Sequence, residues 1–227
     1  DLMDVYKISS SDITNKPFIR HLCGYRKPIL LSTGASELWE IQEAVGWIAA
    51  EGNALALMHC ILNYPTSDRD ANLGMIHGLR RAFPDLHIGY SDHTLPAAMR
   101  VCEMAVLLGA TIIEKHFTLD RRGGGPDDSF SLEPEQLAAL CKDSLTAWRA
   151  LGKVDYGQQS SERANVKFRR SLYFVRPLKA GQAITADDVR SVRPGYGLPP
   201  KMLDQLVGRT VRRDVAAASP VRTEDLA

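Results

Sequence analysis

The chain has 227 residues, 44% of them hydrophobic and 24% charged, which are ordinary proportions for a globular protein. Its 28 basic and 27 acidic residues nearly cancel, so the basic surface expected of a nucleic-acid or anionic-membrane binder is excluded. No stretch reaches the roughly 20 apolar residues of a membrane span, and the four cysteines (Cys23, Cys60, Cys102, Cys141) form no CxxC pair.

The first two-thirds repeat one rhythm, a short apolar run followed by a turn and a longer amphipathic stretch. Predicted strands are Val5–Ile8, Ile29–Leu31, Ala54–Met58, Ile88–Tyr90 and Thr111–Ile113. Helix-like segments between and after them include Ser36–Glu51, Leu73–Ala82, Leu95–Leu108 and Pro134–Leu151. Ser36 with Glu40, and Glu133 before Pro134, mark helix starts. Strands alternating with helices imply an α/β fold with a parallel sheet, either doubly wound or a barrel, and periodicity does not choose. Cys60 and Cys102 fall inside apolar stretches, as buried reduced thiols would in a reducing cytoplasm. Asp1 is not a methionine and no signal-peptide pattern follows, so a processed or truncated start is expected.

Residues 152–165 read as a polar linker, and residues 166–227 as a second domain of short strands and turns. Val175–Val189 is echoed by Val211–Leu226: strand, turn, an apolar residue, a threonine N-cap, then acidic residues. So small a module leans on the first domain (residues 1–151) or on a partner chain.

Polar residues follow the apolar heart of each predicted strand: Lys7, Ser9 and Ser10 after Val5-Tyr6; Ser32, Thr33 and Gly34; His59 and Cys60; Ser91, Asp92 and His93; Glu114, Lys115 and His116. Ligand sites of parallel α/β folds form at the C-terminal ends of strands, so these clusters converge on one rim. His93 and His116 end adjacent strands and are the candidate ligands of a divalent transition metal with open coordination positions. His59 competes for a ligand role, whereas His21, His77 and His87 lie in helix or loop contexts. Lys7, Ser10, Ser32 and Ser91 together suit an anionic phosphate or carboxylate. The run from Arg121 to Asp127 is either a solvated loop or a glycine-rich flap carrying Asp127 over the rim.

The ordered motifs YKISS (Tyr6–Ser10), LSTG (Leu31–Gly34), HC…YPT (His59–Cys60, Tyr64–Thr66), GYSDHT (Gly89–Thr94), EKHFT (Glu114–Thr118) and RPGYG (Arg193–Gly197) resemble the sialic-acid (nonulosonate) synthase family along essentially the whole chain. The resemblance implies a TIM (β/α)8-type barrel followed by a small antifreeze-like β-clip, or SAF, domain. It implies condensation of phosphoenolpyruvate with an N-acetylated hexosamine, N-acetylmannosamine first, giving an N-acetylneuraminate-type acid and phosphate. Manganese on His93 and His116 is implied, with phosphoenolpyruvate on Lys7, Ser10, Ser32 and Ser91. Tyr64 and Asp127 would line the sugar site, with Asp127 positioning hydroxyls or assisting water. Arg193 would reach the partner's barrel in a domain-swapped homodimer.

A barrel needs eight βα units and the sequence supplies five, without the family's glutamate and lysine from the first two strands. The chain is therefore expected to be a fragment that binds metal and substrate poorly. Ile61-Leu62-Asn63 departs from the Thr-Asn-Ile of one branch, and residues 123–134 echo the pseudaminic-acid branch. Alternatives are thus a pseudaminic- or legionaminic-acid synthase using a diacetamido sugar and, from another class, a non-catalytic SAF-type binding or oligomerisation module.

Overall fold

A computed structural model describes residues 2–98 and 100–227; Asp1 and Met99, the latter within the predicted helix Leu95–Leu108, lie outside the described residues. The chain divides into two compact units, Asp1–Lys153 and Val154–Ala227.

The first unit contains β1 (Tyr6–Ile8), α1 (Lys16–Cys23), β2 (Ile29–Ser32), α2 (Leu38–Glu51), β3 (Leu55–Cys60), α3 (Gly74–Ala82), β4 (His87–Asp92), α4 (Arg100–Leu107), β5 (Ile113–Lys115) and α5 (Pro134–Leu151). Every strand pairs in parallel with the next one along the chain, in the order β1-β2-β3-β4-β5. A doubly wound sheet reverses its order at a switch point. Here the order never reverses, so the sheet is a curled half-barrel of five βα units, the TIM (β/α)8 architecture.

The strands run further than their apolar cores. Ser32 ends β2, His59 and Cys60 end β3, Ser91 and Asp92 end β4, and Glu114 and Lys115 end β5. Lys7 lies inside β1 rather than beyond it, and His87 opens β4 rather than sitting in a loop. The predicted strand at Thr111–Ile113 is displaced toward Lys115, although Thr111 N still donates to Ile88 O at 2.8 Å.

Helix starts follow local hydrogen bonding. α2 is capped at Glu37, whose backbone N–H donates to Glu40 Oε2 at 2.8 Å, while Ser36 Oγ instead donates to Gly34 O. α5 opens with Glu133 and Pro134 as the sequence indicated. The range Leu95–Leu108 holds a 3-10 turn (Pro96–Ala98) before α4. α1 lies outside the predicted helices; Asn15 Oδ1 caps Phe18 N, Pro17 sits in its first turn, and Ile19 and Cys23 form its buried face.

Register sorts the side chains. The row Ile8, Leu31, Leu57 and Ile88 belongs to the core packed under the helices, together with Ile19, Ala44, Ile48, Ile76 and Leu79. Because strand side chains alternate, the intervening rows face the opposite, concave side. Those rows hold Lys7, then Ser32, Met58 and Gly89, then Cys60, Ser91 and Glu114.

In the second unit, β6 (Ser171–Phe174) and β7 (Val189–Val192) form an antiparallel pair over a separate core that includes Leu172, Phe174, Ile184, Leu206, Val211 and Val221. The internal echo is real at the level of contacts. Thr185 N donates to buried Asp188 and Arg222 N to buried Asp225, while Arg176 and Arg213 pair with those same two aspartates. Leu178 and Val215, equivalent positions of the two halves, exchange backbone hydrogen bonds with each other. The second cap falls on Arg222, one residue before the threonine that the sequence suggested.

Candidate functional site

Alternation decides which strand-end residues reach the concave face. His59 shares its row with Tyr90 on the helix-facing side. There Nε2 donates to Ala71 O at 2.9 Å, the ring stacks on Tyr90, and burial pushes its pKa below the ordinary histidine value. His59 is scaffolding. His93 and His116 continue the parity of Ser91 and Glu114, toward the concave side.

His93 is buried, and its Nδ1 donates to Ile61 O at 2.7 Å. A carbonyl only accepts, so Nδ1 carries the hydrogen and Nε2 keeps its lone pair. Burial lowers the His93 pKa, outweighing the opposing hydrogen bond to Ile61. The neutral ring is the form that ligates metals. The His93 and His116 ring centroids are 5.3 Å apart at 72°. Two imidazoles bound to one ion at about 2.1 Å place their centroids roughly 4.5–5.5 Å apart, so the pair fits a shared divalent ion. Among the described residues no group of three or more His, Cys, Asp or Glu side chains is disposed to hold a metal. An ion here would rest on two imidazoles and leave positions for water or substrate.

Tyr64 lies over His93 with centroids 4.1 Å apart, and Phe130 packs 5.0 Å from His116. Burial is the main cause that raises the Tyr64 pKa. Asp127 Oδ2 is 3.4 Å from His116 Nδ1. The segment before it is pinned, because Arg121 pairs with Glu133 and Gln136 at the start of α5, and Gly125 N donates to Asp128.

The anion candidates gather beside this pair. Ser10 Oγ accepts from Gly34 N at 2.9 Å and lies 2.9 Å from Cys60 Sγ. Ser32 Oγ is buried with no hydrogen-bond partner, and Ser91 is 3% exposed opposite Glu114 in the register. Lys7 Nζ lies 3.4 Å from Glu114 Oε2, which itself accepts no hydrogen bond. A buried hydroxyl without a partner, on the same concave face as Lys7, suits an anionic ligand.

The structure thus brings Lys7, Ser10, Ser32, Ser91, Tyr64, His93, His116 and Asp127 together on one rim. Arg193 lies beyond β7 in the second unit, exposed. The sequence reading assigned no role to Glu114 or Phe130. Glu114 was accessible through parity, since it pairs with Ser91. Phe130, in the loop between β5 and α5 and on no strand or helix period, carried no signal beyond its aromatic type.

A model of the NeuB family matches residues 2–156. The chain belongs to this family. An SAF domain matches residues 169–227. Among NeuB-family relatives, the chain is 36% identical over 228 residues to N,N'-diacetyllegionaminic acid synthase of Legionella pneumophila, covering 97% of this chain and 63% of that protein. It is 33% identical to pseudaminic acid synthase of Campylobacter jejuni, covering 97% and 64%. The crystal structure of N-acetylneuraminic acid (sialic acid) synthetase from Leptospira borgpetersenii superposes with a TM-score of 0.69 at 33% identity, over 74% of this chain and 58% of that one. The chain therefore spans less than two thirds of the length of these relatives. Among the described residues no helix is long and apolar enough to cross a membrane.

Proposed function

We propose that this chain carries the metal- and phosphoenolpyruvate-binding part of a NeuB-type synthase that joins phosphoenolpyruvate to N-acetylmannosamine, forming an N-acetylneuraminate-type acid and phosphate. The observation that carries this reading is the His93–His116 pair, 5.3 Å apart on consecutive strand ends, with the His93 tautomer fixed by Ile61. His93 and His116 would hold a divalent ion, manganese in this proposal, which when bound supplies Lewis acidity at the sugar aldehyde.

The remaining roles belong to the chain itself. Lys7 and the hydroxyls of Ser10, Ser32 and Ser91 bind the phosphate and carboxylate of phosphoenolpyruvate and aim its methylene carbon at the aldehyde. Tyr64 and Phe130 wall the histidines, and Asp127 orients sugar hydroxyls or the water that adds at C2 as phosphate leaves by C–O cleavage. Arg193 would complete the site from a partner in a domain-swapped homodimer, located in the cytoplasm. That assembly rests on the family resemblance. A diacetamido sugar is the second reading, favoured by relatives named for legionaminic and pseudaminic acids that match 97% of the chain.

Calorimetric titration with manganese and then phosphoenolpyruvate tests the proposal on the wild type, His93→Ala and His116→Ala. Manganese and phosphoenolpyruvate should bind the wild type measurably but more weakly than a full eight-unit barrel would, and manganese binding should drop at least tenfold in each variant. Unchanged binding in both variants sinks the reading. Phosphate release with a panel of N-acetylated and diacetamido hexosamines separates the two substrates.

A further inference from the structure

Behind the two histidines, on the helix-facing side of the sheet, lies a second polar cluster with no assigned role. Asp92 precedes His93 and Lys115 precedes His116. Their side chains pair at 2.7 Å with side-chain exposures of 0% and 2%. Asp92 Oδ1 accepts from Tyr90 OH and Thr94 N; Oδ2 accepts from Thr94 Oγ1, Cys102 Sγ and Lys115 Nζ. Lys115 also donates to Thr94 O. The donors come from β4, the turn after it, β5 and α4, so one carboxylate ties four segments together.

The effect converges on His93. Asp92 holds Thr94 through both its backbone N–H and its hydroxyl, and Lys115 holds the Thr94 carbonyl. The His93 carbonyl accepts from Thr66 N at 2.8 Å, and its ring is held by Ile61. The Asp92 carboxylate, the His93 carbonyl and ring, and the N–H, hydroxyl and carbonyl of Thr94 are therefore all committed, which fixes the direction of the imidazole. Lys115, the residue immediately before His116, is anchored to this same cluster through its side chain. A buried ion pair is a poor means of gaining stability, because well-packed apolar residues of similar volume commonly serve as well. Apolar packing, however, cannot dictate direction as hydrogen bonds to the strand end do.

We propose that Asp92 and Lys115 are positioning residues that set the facing geometry of His93 and His116. This rests on the reading of the histidines as ion ligands, but its first consequence is visible without any ion.

The test compares the wild type with Asp92→Leu/Lys115→Met, which removes both charges together, and with the milder Thr94→Val. Three quantities are read: melting temperature, imidazole 15N shifts of the metal-free chain, and manganese affinity. The proposal expects the double variant to melt within a few degrees of the wild type. Its His93 should shift from a single Nδ1–H tautomer to a mixture, and its manganese affinity should fall about 10–100-fold. Thr94→Val should move both quantities the same way by less, and it carries the decision if the double variant fails to fold. Folded variants with unchanged His93 shifts overturn the positioning role. Should the wild type bind no manganese at all, the ion-ligand reading fails, and the metal-free imidazole spectra still decide the positioning role by the same criterion.

Discussion

Lys7 Nζ and Glu114 Oε2 stand 3.4 Å apart although their strands, β1 and β5, are the first and last of the five-stranded sheet. Side chains from the two ends of a flat sheet of this width would be separated by about four strand spacings of roughly 4.8 Å each. The contact measures the curl that makes the concave face a receptacle. It also sets the electrostatics there, since Glu114 occupies the lysine that an incoming anion would use. Lys7→Met should weaken phosphoenolpyruvate binding about 10–100-fold, the scale of a lost charge-assisted hydrogen bond. Glu114→Gln should strengthen it, because the lysine is released. Calorimetry on both variants decides this, and equal losses in both would contradict the arrangement. Both side chains are about 30–40% exposed, so their effect on stability should stay within about 0.5 kcal/mol.

Gly34 fills a position where a Cβ would lie 2.7 Å from Cys60 Sγ, 2.9 Å from Ser10 Oγ and 3.1 Å from Leu62 N. Gly34→Ala should therefore displace the Ser10 hydroxyl and break its bond from Gly34 N. We expect a loss of about 1–3 kcal/mol in stability from overpacking, with anion binding reduced at least tenfold. Phosphate titration of a variant shown to be folded by circular dichroism checks it; wild-type affinity would count against Ser10 as an anion ligand.

Burial holds both His59 and His93 below the ordinary value of 6.5. As pH falls through about 6.5 the unfolded chain takes up protons that the folded chain refuses, so stability declines there and keeps declining until the lowered folded values are reached. The three tryptophans, Trp39, Trp47 and Trp148, all lie in the first unit, and their fluorescence reports its unfolding. Denaturation midpoints should fall between pH 7 and pH 5, and His59→Gln should flatten part of that slope. An identical slope in the variant would show that His59 does not resist protonation.

In the second unit the Asp188 carboxyl is brought down from 3.8 to about 2, because Arg176 and two hydrogen bonds from Thr185 outweigh the opposing effect of burial. A depressed carboxylate stabilises the fold above its unfolded pKa and ceases to do so as pH falls through the folded one. The loss should run from about pH 4 to pH 2. Because the Arg176 side chain is 56% exposed, about 1–2 kcal/mol is a reasonable share. Protection factors of the Leu172 and Phe174 amides, corrected for the intrinsic exchange rate at each pH, should fall about tenfold over that range in the wild type and less in Asp188→Asn.

Strand positions were legible because Ile8, Leu31, Leu57 and Ile88 sit in runs that a buried parallel sheet requires. Strand ends were not, because Ser32, His59, Ser91, Asp92 and Glu114 are polar residues whose pairing is made by the backbone. The choice between a barrel and a doubly wound sheet needed the strand order, which no single segment encodes. Which histidine serves as scaffold follows from a parity of two, and could be read only once the true strand limits placed His59 in the row of Tyr90. The Asp92–Lys115 pair stayed hidden for the same reason: adjacent letters in two motifs point to opposite faces of the sheet. α1 carried its signal in Asn15 and Pro17, an N-cap and an early proline, and in an apolar face at Ile19 and Cys23 only two turns long, too short to stand out between the strands.

The unreversed strand order has a consequence for how the chain assembles. Each strand finds its partner within roughly thirty residues, a local pattern that lets βα units dock one after another as synthesis proceeds. The rim residues, by contrast, are spread from Lys7 to Asp127. Within the segment from β1 to β5 the sheet can thus build up gradually, while the rim from Lys7 to His116 comes together only when β5 docks. Ligand occupancy then favours those molecules in which β1 and β5 have both docked, because only they bring Lys7 and Glu114 to one face.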